Sequence, residues 1–176
     1  MSSCLYWITG LSGAGKTTIG QLFYSRLKIS NKNVVFLDGD ILREVLNITE
    51  QYSPKERRKI AMTYSRLCKL LTDQDIEVVI ATISMFHEVR DWNRSNIEFY
   101  REVYIKVPNE VLIERDQKKL YSRALKGEIQ YVIGADLNKN IEFEEPKKPD
   151  IIINNDGLKK PEDIVDQLIK DLKLKI

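Results

Sequence analysis

The sequence predicts an α/β fold, a three-layer α/β/α sandwich on a five-stranded parallel sheet with a lid segment. Three observations point to it. Short β-favouring runs alternate with longer helix-patterned segments along the 176 residues. The short runs are almost continuously apolar, as strands covered on both faces are. A glycine-rich loop joins the first run to the first helical segment.

The elements follow in order. "CLYWIT" (4–9) reads as the first strand and Thr17 to Lys28 as the first helix. "VVFLD" (34–38) is the second strand, followed by a helix from Pro54 to Asp73. "VVIATIS" (78–84) precedes a helix from Phe86 to Phe99, and "EVYIKV" (102–107) precedes one from Asn109 to Leu125. "DIIIN" (150–154) is the last strand. The final helix, Pro161 to Leu174, carries Ile164, Leu168 and Leu172 at spacings of four. Strands linked by helical crossovers pair in parallel. Segment 127–149 breaks the pattern, being long, partly polar and without a clear period. Such loops are usually functional, so a lid is expected over about 116–149. With no repeat and no linker, residues 1–176 read as a single domain.

Composition narrows the function. The chain is 43% hydrophobic and 31% charged, ordinary for a soluble domain. A net charge of +2 argues for neither a nucleic-acid nor a membrane partner. No apolar stretch approaches the ~20 residues of a membrane span, and no signal peptide is legible. Cys4 and Cys68 read as buried small hydrophobes in a reducing compartment, not as a metal spacing. His87, the only histidine, reads as a surface or hydrogen-bonding residue. The expected location is the cytoplasm.

Gly10-Leu11-Ser12-Gly13-Ala14-Gly15-Lys16-Thr17 fits G-x-x-x-x-G-K-[ST] in full, between a strand and a helix. This is the phosphate loop of a P-loop NTPase. Its glycines allow backbone angles and close approaches that a Cβ blocks. Its N–H groups, with the helix N-terminus, wrap a phosphate. Lys16 is placed to reach the β- and γ-phosphates of ATP or GTP, and Thr17 to ligate Mg²⁺. No N-K-x-D guanine-reading segment occurs, which disfavours a GTPase. A small-molecule or nucleotide kinase with MgATP as donor fits best. In "FLDGDILR", Asp38 ends the second strand on the edge where open parallel sheets bind ligands. One carboxylate there can hold Mg²⁺, assigned to Asp38 with Thr17, and the other, Asp40, can orient the attacking hydroxyl. The competing explanation for "DGD" is a helix N-cap.

"TGLSGAGKTT", "LDGDILR", "YSPKERR", "ATISMF", "ERDQKKLYSRALKGEI" and "FEEPKKPDI" resemble, in order, blocks of the adenylylsulfate kinase family. The resemblance spans nearly the whole chain. It implies a P-loop α/β/α kinase that phosphorylates the ribose 3′-hydroxyl of a nucleotide with MgATP, and by analogy a homodimer. It implies ATP binding by Gly10, Ser12, Gly13, Ala14, Gly15, Lys16, Thr17, Thr18 and the lid residue Arg115. Asp40, Lys16 and Lys118 are its catalytic residues. Asp40, Arg43, Tyr52, Arg57, Ile83, Ser84, Lys118 and Val132 would face the acceptor, with Tyr52 stacking on its base.

The departures from the family fall on the acceptor side. Ile60 stands where the family has an asparagine, and Val132-Ile133-Gly134 where it has "FTG". Val132 cannot stack, and base–aromatic stacking is worth ~1–3 kcal/mol per base. Ile60 cannot donate a hydrogen bond, and a missing bond to a charged group costs about 1.5–3 kcal/mol. A changed nucleotide acceptor follows. Cytidine diphosphoramidate, the acceptor of family relatives in capsule phosphoramidate synthesis, is preferred over adenosine phosphosulfate. An ATP-binding scaffold without turnover and a kinase for a small non-nucleotide acceptor stay as alternatives.

Overall fold

A computed structural model of the chain describes residues 3–48, 53–116, 119–126, 128 and 144–175. Five strands form one sheet: β1 (Leu5–Thr9), β2 (Val34–Asp38), β3 (Glu77–Ala81), β4 (Tyr100–Lys106) and β5 (Ile151–Asn154). All pairings are parallel and the order is β2-β3-β1-β4-β5. The helices are α1 (Lys16–Ser30), α2 (Gly39–Val45), α3 (Pro54–Thr72), α4 (His87–Asn96), α5 (Asn109–Arg115), α6 (Leu120–Leu125) and α7 (Pro161–Asp171).

The period-2 pleat of β1 builds both cores at once. Tyr6 and Ile8 enter a cluster with Ile19, Phe23 and Leu27 of α1 and Ile164, Val165 and Leu168 of α7. Leu5 and Trp7 enter a second cluster with Ala61, Tyr64 and Cys68 of α3 and Val89 of α4. Every residue of β1 is buried for this reason. The result is the expected three-layer sandwich. Among the described residues no helix is long and apolar enough to cross a membrane. Cys4 and Cys68 are free thiols, and burial pushes Cys4 up to about 12.

Several boundaries differ from the sequence reading. Segment 39–45 is a helix, because Asp38 caps it by accepting from the N–H groups of Asp40 and Ile41. β3 ends at Ala81 rather than residue 84, since Ser84 turns the chain at φ 22°. The expected helix 109–125 is two helices. Asp116 at φ 32° ends α5 and Lys119 at φ 55° precedes α6. Asp116 Oδ1 accepts from the N–H groups of Tyr121 (2.8 Å) and Ser122 (3.1 Å), giving α6 its own cap. Hydrogen bonds from Ser122 and Tyr121 hold this carboxyl below its ordinary range. The expected helix 86–99 stops at Asn96, and β4 begins at Tyr100.

Segment 144–150 is fastened to α4 and β4 by a buried ion-pair network. Arg90 Nε lies 3.2 Å from Glu102 Oε1, with both side chains almost wholly buried. Arg94 reaches Glu102 at 2.9 Å and Asp150 at 3.3 Å. Arg90 also donates to the Glu144 carbonyl at 2.7 Å. Burial raises the Glu102 pKa and lowers that of Arg90, so each charge depends on its partner. His87 takes the hydrogen-bonding role expected of it, with Nδ1 2.6 Å from Arg90 Nη2.

Removing one member of a buried pair leaves the other charge unpaired. Glu102→Gln is therefore expected to destabilise the fold by about 3–5 kcal/mol, read as a lower denaturant midpoint.

Candidate active site

The strand ends set the location. β1, β2, β3 and β5 deliver Gly10, Asp38, Thr82 and Asn155 to one edge of the sheet. The chain leaves β1 into α1, which joins one core, and leaves β3 towards α4, which joins the other. That divergence between neighbouring strands opens the crevice where such sheets bind ligands.

The phosphate loop is shaped by close approach. A Cβ on Gly10 would lie 2.5 Å from the Ile105 carbonyl oxygen of β4, so only glycine fits there. Gly15, at φ 90°, is the N-cap of α1 and starts the helix directly beneath the loop. Lys16 Nζ donates to the Leu11 carbonyl at 2.8 Å, which holds the ammonium over the loop. The loop thus unites Gly10, Ser12, Gly13, Ala14, Gly15, Lys16 and Thr17, with Thr18 exposed in the first turn of α1.

Asp38 joins two elements. Its Oδ2 accepts from Thr17 Oγ1 at 2.6 Å, and its Oδ1 accepts from Asp40 N at 2.8 Å and Ile41 N at 3.4 Å. The helix-cap explanation therefore holds for Asp38, and the same buried carboxylate also meets the Thr17 hydroxyl. Asp40 does not cap. It is exposed and ion-paired with Arg43, three residues on. The Tyr64 hydroxyl donates to the Gly39 carbonyl at 3.1 Å, and Thr82 Oγ1 would meet a Cβ on Gly39 at 3.2 Å. These contacts seat the start of α2 against α3 and the end of β3.

Residues 82–84 lie beside the loop. Thr9 Oγ1 donates to the Ile83 carbonyl at 2.5 Å. The Thr82 and Ser84 hydroxyls lie 2.8 Å apart, both buried. Ile83 packs on the core that also holds Leu11 and Ala14. Arg57 is half-buried in the first turns of α3. Arg115, at the end of α5, donates to the Gly13 carbonyl at 3.3 Å and the Asn155 carbonyl at 3.2 Å. Tyr52, Lys118 and Val132 lie outside the described residues.

Two participants were not singled out from the sequence. Asn155 Nδ2 donates to the Ala14 carbonyl at 2.9 Å, and the Tyr121 hydroxyl donates to the Ser12 carbonyl at 2.9 Å. The legible signal for Asn155 was its place just past a strand end, on the ligand edge. Tyr121 sat inside the "ERDQKKLYSRALKGEI" block, where nothing local sets it apart from its charged neighbours.

Oxygen donors suit a hard divalent cation, and the Thr17 hydroxyl with the Asp38 carboxylate supplies such a pair. No cluster of three or more acidic, histidine or cysteine side chains is present among the described residues. The remaining ligands of such an ion would be phosphate oxygens and water.

Comparison with known proteins agrees with this geometry. The sequence pattern of the adenylylsulphate kinase family matches residues 2–154. A cytidine diphosphoramidate kinase of Campylobacter jejuni is 44% identical over 97% of this chain and 96% of its own. A probable adenylyl-sulfate kinase of Archaeoglobus fulgidus is 36% identical over 88% of this chain and 97% of its own. Among solved structures, the Mycobacterium tuberculosis APS kinase in complex with AMPPNP and APS superposes with a TM-score of 0.84. It is 29% identical, and the match covers 98% of each chain.

Asp38 carries a cap as well as a site oxygen, and two substitutions separate the roles. Asp38→Asn keeps an acceptor for the α2 N–H groups, whereas Asp38→Ala removes it. The alanine variant is expected to lose about 0.5–2 kcal/mol of stability, and the asparagine variant less than half of that, by thermal unfolding.

Proposed function

The chain belongs to the adenylylsulphate kinase family and is a kinase, and on that premise we propose its reaction. It transfers the γ-phosphate of MgATP to the ribose 3′-hydroxyl of cytidine diphosphoramidate. The observation that carries the acceptor is the 44% identity, over nearly both full chains, to a kinase named for that compound. The departures at Ile60 and Val132 support it, because the phosphate loop is intact while changes gather on the acceptor side.

The roles follow from placement. Lys16 and the loop amides bind the β- and γ-phosphates, with Thr18 and Arg115 at the donor side. Thr17 and Asp38 hold Mg²⁺, which when bound offsets charge on the transferring phosphoryl group. Asp40, held by Arg43, orients the 3′-hydroxyl and accepts its proton as the new P–O bond forms and the bond to ADP breaks. Such a loose transition state asks for positioning more than for a strong base, which suits a paired carboxylate. Arg43, Arg57 and Lys118 meet the acceptor's charge, Tyr52 stacks on its base, and Ile83, Ser84 and Val132 shape its pocket. The protein acts in the cytoplasm on small nucleotides, and homodimer formation belongs to the same reading.

ADP release from MgATP tests this, with cytidine diphosphoramidate and adenosine phosphosulfate supplied separately. The expected outcome is turnover with the cytidine compound and kcat/KM at least about a hundredfold lower with the adenosine one, matching the loss of one stack and one hydrogen bond. Equal or better turnover of adenosine phosphosulfate would make this a sulfate-activating enzyme. Lys16→Ala is expected to lose at least about a hundredfold in kcat, as removal of a donor to transition-state charge does.

A further inference from the structure

Three consecutive carbonyls of the phosphate loop each accept a hydrogen bond from a side chain on another element. Ser12 O is held by the Tyr121 hydroxyl of α6 at 2.9 Å. Gly13 O is held by Arg115 of α5 at 3.3 Å, and Ala14 O by Asn155 Nδ2, just past β5, at 2.9 Å. Arg115 also donates to the Asn155 carbonyl, so two of the three donors are tied together.

Planarity turns this into a statement about phosphate binding. In a trans peptide the C=O and the following N–H point in opposite directions. Holding the Ser12 carbonyl away from the site aims the Gly13 N–H into it, and holding the Ala14 carbonyl does the same for the Gly15 N–H. The middle amide differs, since Ala14 N donates within the loop to Leu11 O at 3.2 Å. The Ser12 and Ala14 carbonyls are thus the two whose orientation decides whether the loop offers phosphate a donor or an acceptor. The backbone around Gly13 and Gly15 resists reversal little, because glycine adopts both signs of φ with similar ease. The restraint has to come from outside the loop.

Tyr121 is suited to this. It is 1% exposed, and its backbone N–H is fixed by Asp116 Oδ1. Asn155 stands so close that a Cβ on Gly15 would lie 2.8 Å from its Nδ2. We infer that Asn155 and Tyr121 are positioning residues for the donor phosphates, locking the Gly13 and Gly15 amides into the binding orientation. The inference rests on the kinase reading of the loop but not on which acceptor is used.

The test measures donor binding without an acceptor. The magnesium complex of the non-hydrolysable analogue AMPPNP is titrated calorimetrically into wild type, Asn155→Ala and Tyr121→Phe. Each variant is expected to bind about three- to tenfold more weakly, the scale of one neutral hydrogen bond. In turnover, KM for ATP should rise while KM for the acceptor stays within about twofold. Tyr121→Phe keeps the buried ring, so its unfolding midpoint without nucleotide serves as the check on folding. Unchanged affinity in both variants, or fewer sites at unchanged affinity, overturns the inference while leaving the kinase reading intact. Failure of the wild type itself to bind the analogue overturns that reading with it.

Discussion

A parallel sheet buried on both faces can receive polar ligands only at the rim where its strands end. Here the constraint is severe, since all of β1 and nearly all of β3 are buried. The phosphate loop, the Asp38 carboxylate, the Thr82–Ser84 turn and Asn155 accordingly emerge along one edge. The two cores hold the strands behind that edge from both faces. One is closed by α1 and α7 and the other by α3 and α4, and side chains alternate between them along β1 and β3.

On that edge the chain uses few groups for several tasks. Asp38 accepts from Thr17 and from two backbone amides of α2, so the starts of α1 and α2 share a single carboxylate. The geometry of the Thr17–Asp38 contact is thereby coupled to helix capping, and neither element can shift without disturbing the other. A similar economy appears at Asp116, whose left-handed backbone ends α5 while its carboxylate caps α6. The buried Arg90–Glu102 pair serves differently. Its burial is unfavourable to each charge alone, and its geometry fastens the 144–150 segment to the body of the fold.

Donor and acceptor sides differ in how they are built, and this affects what comparison with relatives can say. Phosphate is bound by backbone amides and a short motif, which persist among proteins of one fold. Recognition of an acceptor base rests on individual side chains rather than backbone, and each of those can change alone. A chain can therefore keep its kinase machinery while its acceptor changes. The match of residues 2–154 to one family fits that pattern, as does the higher identity to a cytidine diphosphoramidate kinase than to the adenylyl-sulfate kinase compared.

The sequence by itself determined the sheet, its parallel pairing and the phosphate loop, because each rests on local signals. Continuous apolar runs, helical spacing and a glycine pattern between strand and helix require no knowledge of distant contacts. It also singled out Asp38 and Asp40 and set Asp38 beside Thr17, but left open whether the pair marks a helix cap. In the structure one carboxylate does both, since Asp38 accepts from Thr17, twenty-one residues earlier, and from two backbone amides of α2. The extent of the short helix α2, for which the sequence offered only a possible N-cap, and the break between α5 and α6 were not legible. Each turns on an aspartate whose side chain satisfies backbone amides, and such a cap competes with simple periodicity. Only the tertiary structure decided that Asn155, 141 residues from Ala14, and Tyr121, 109 from Ser12, meet the phosphate loop. Contacts between residues so far apart leave no local pattern, because they exist only once the sheet has brought its strand ends together.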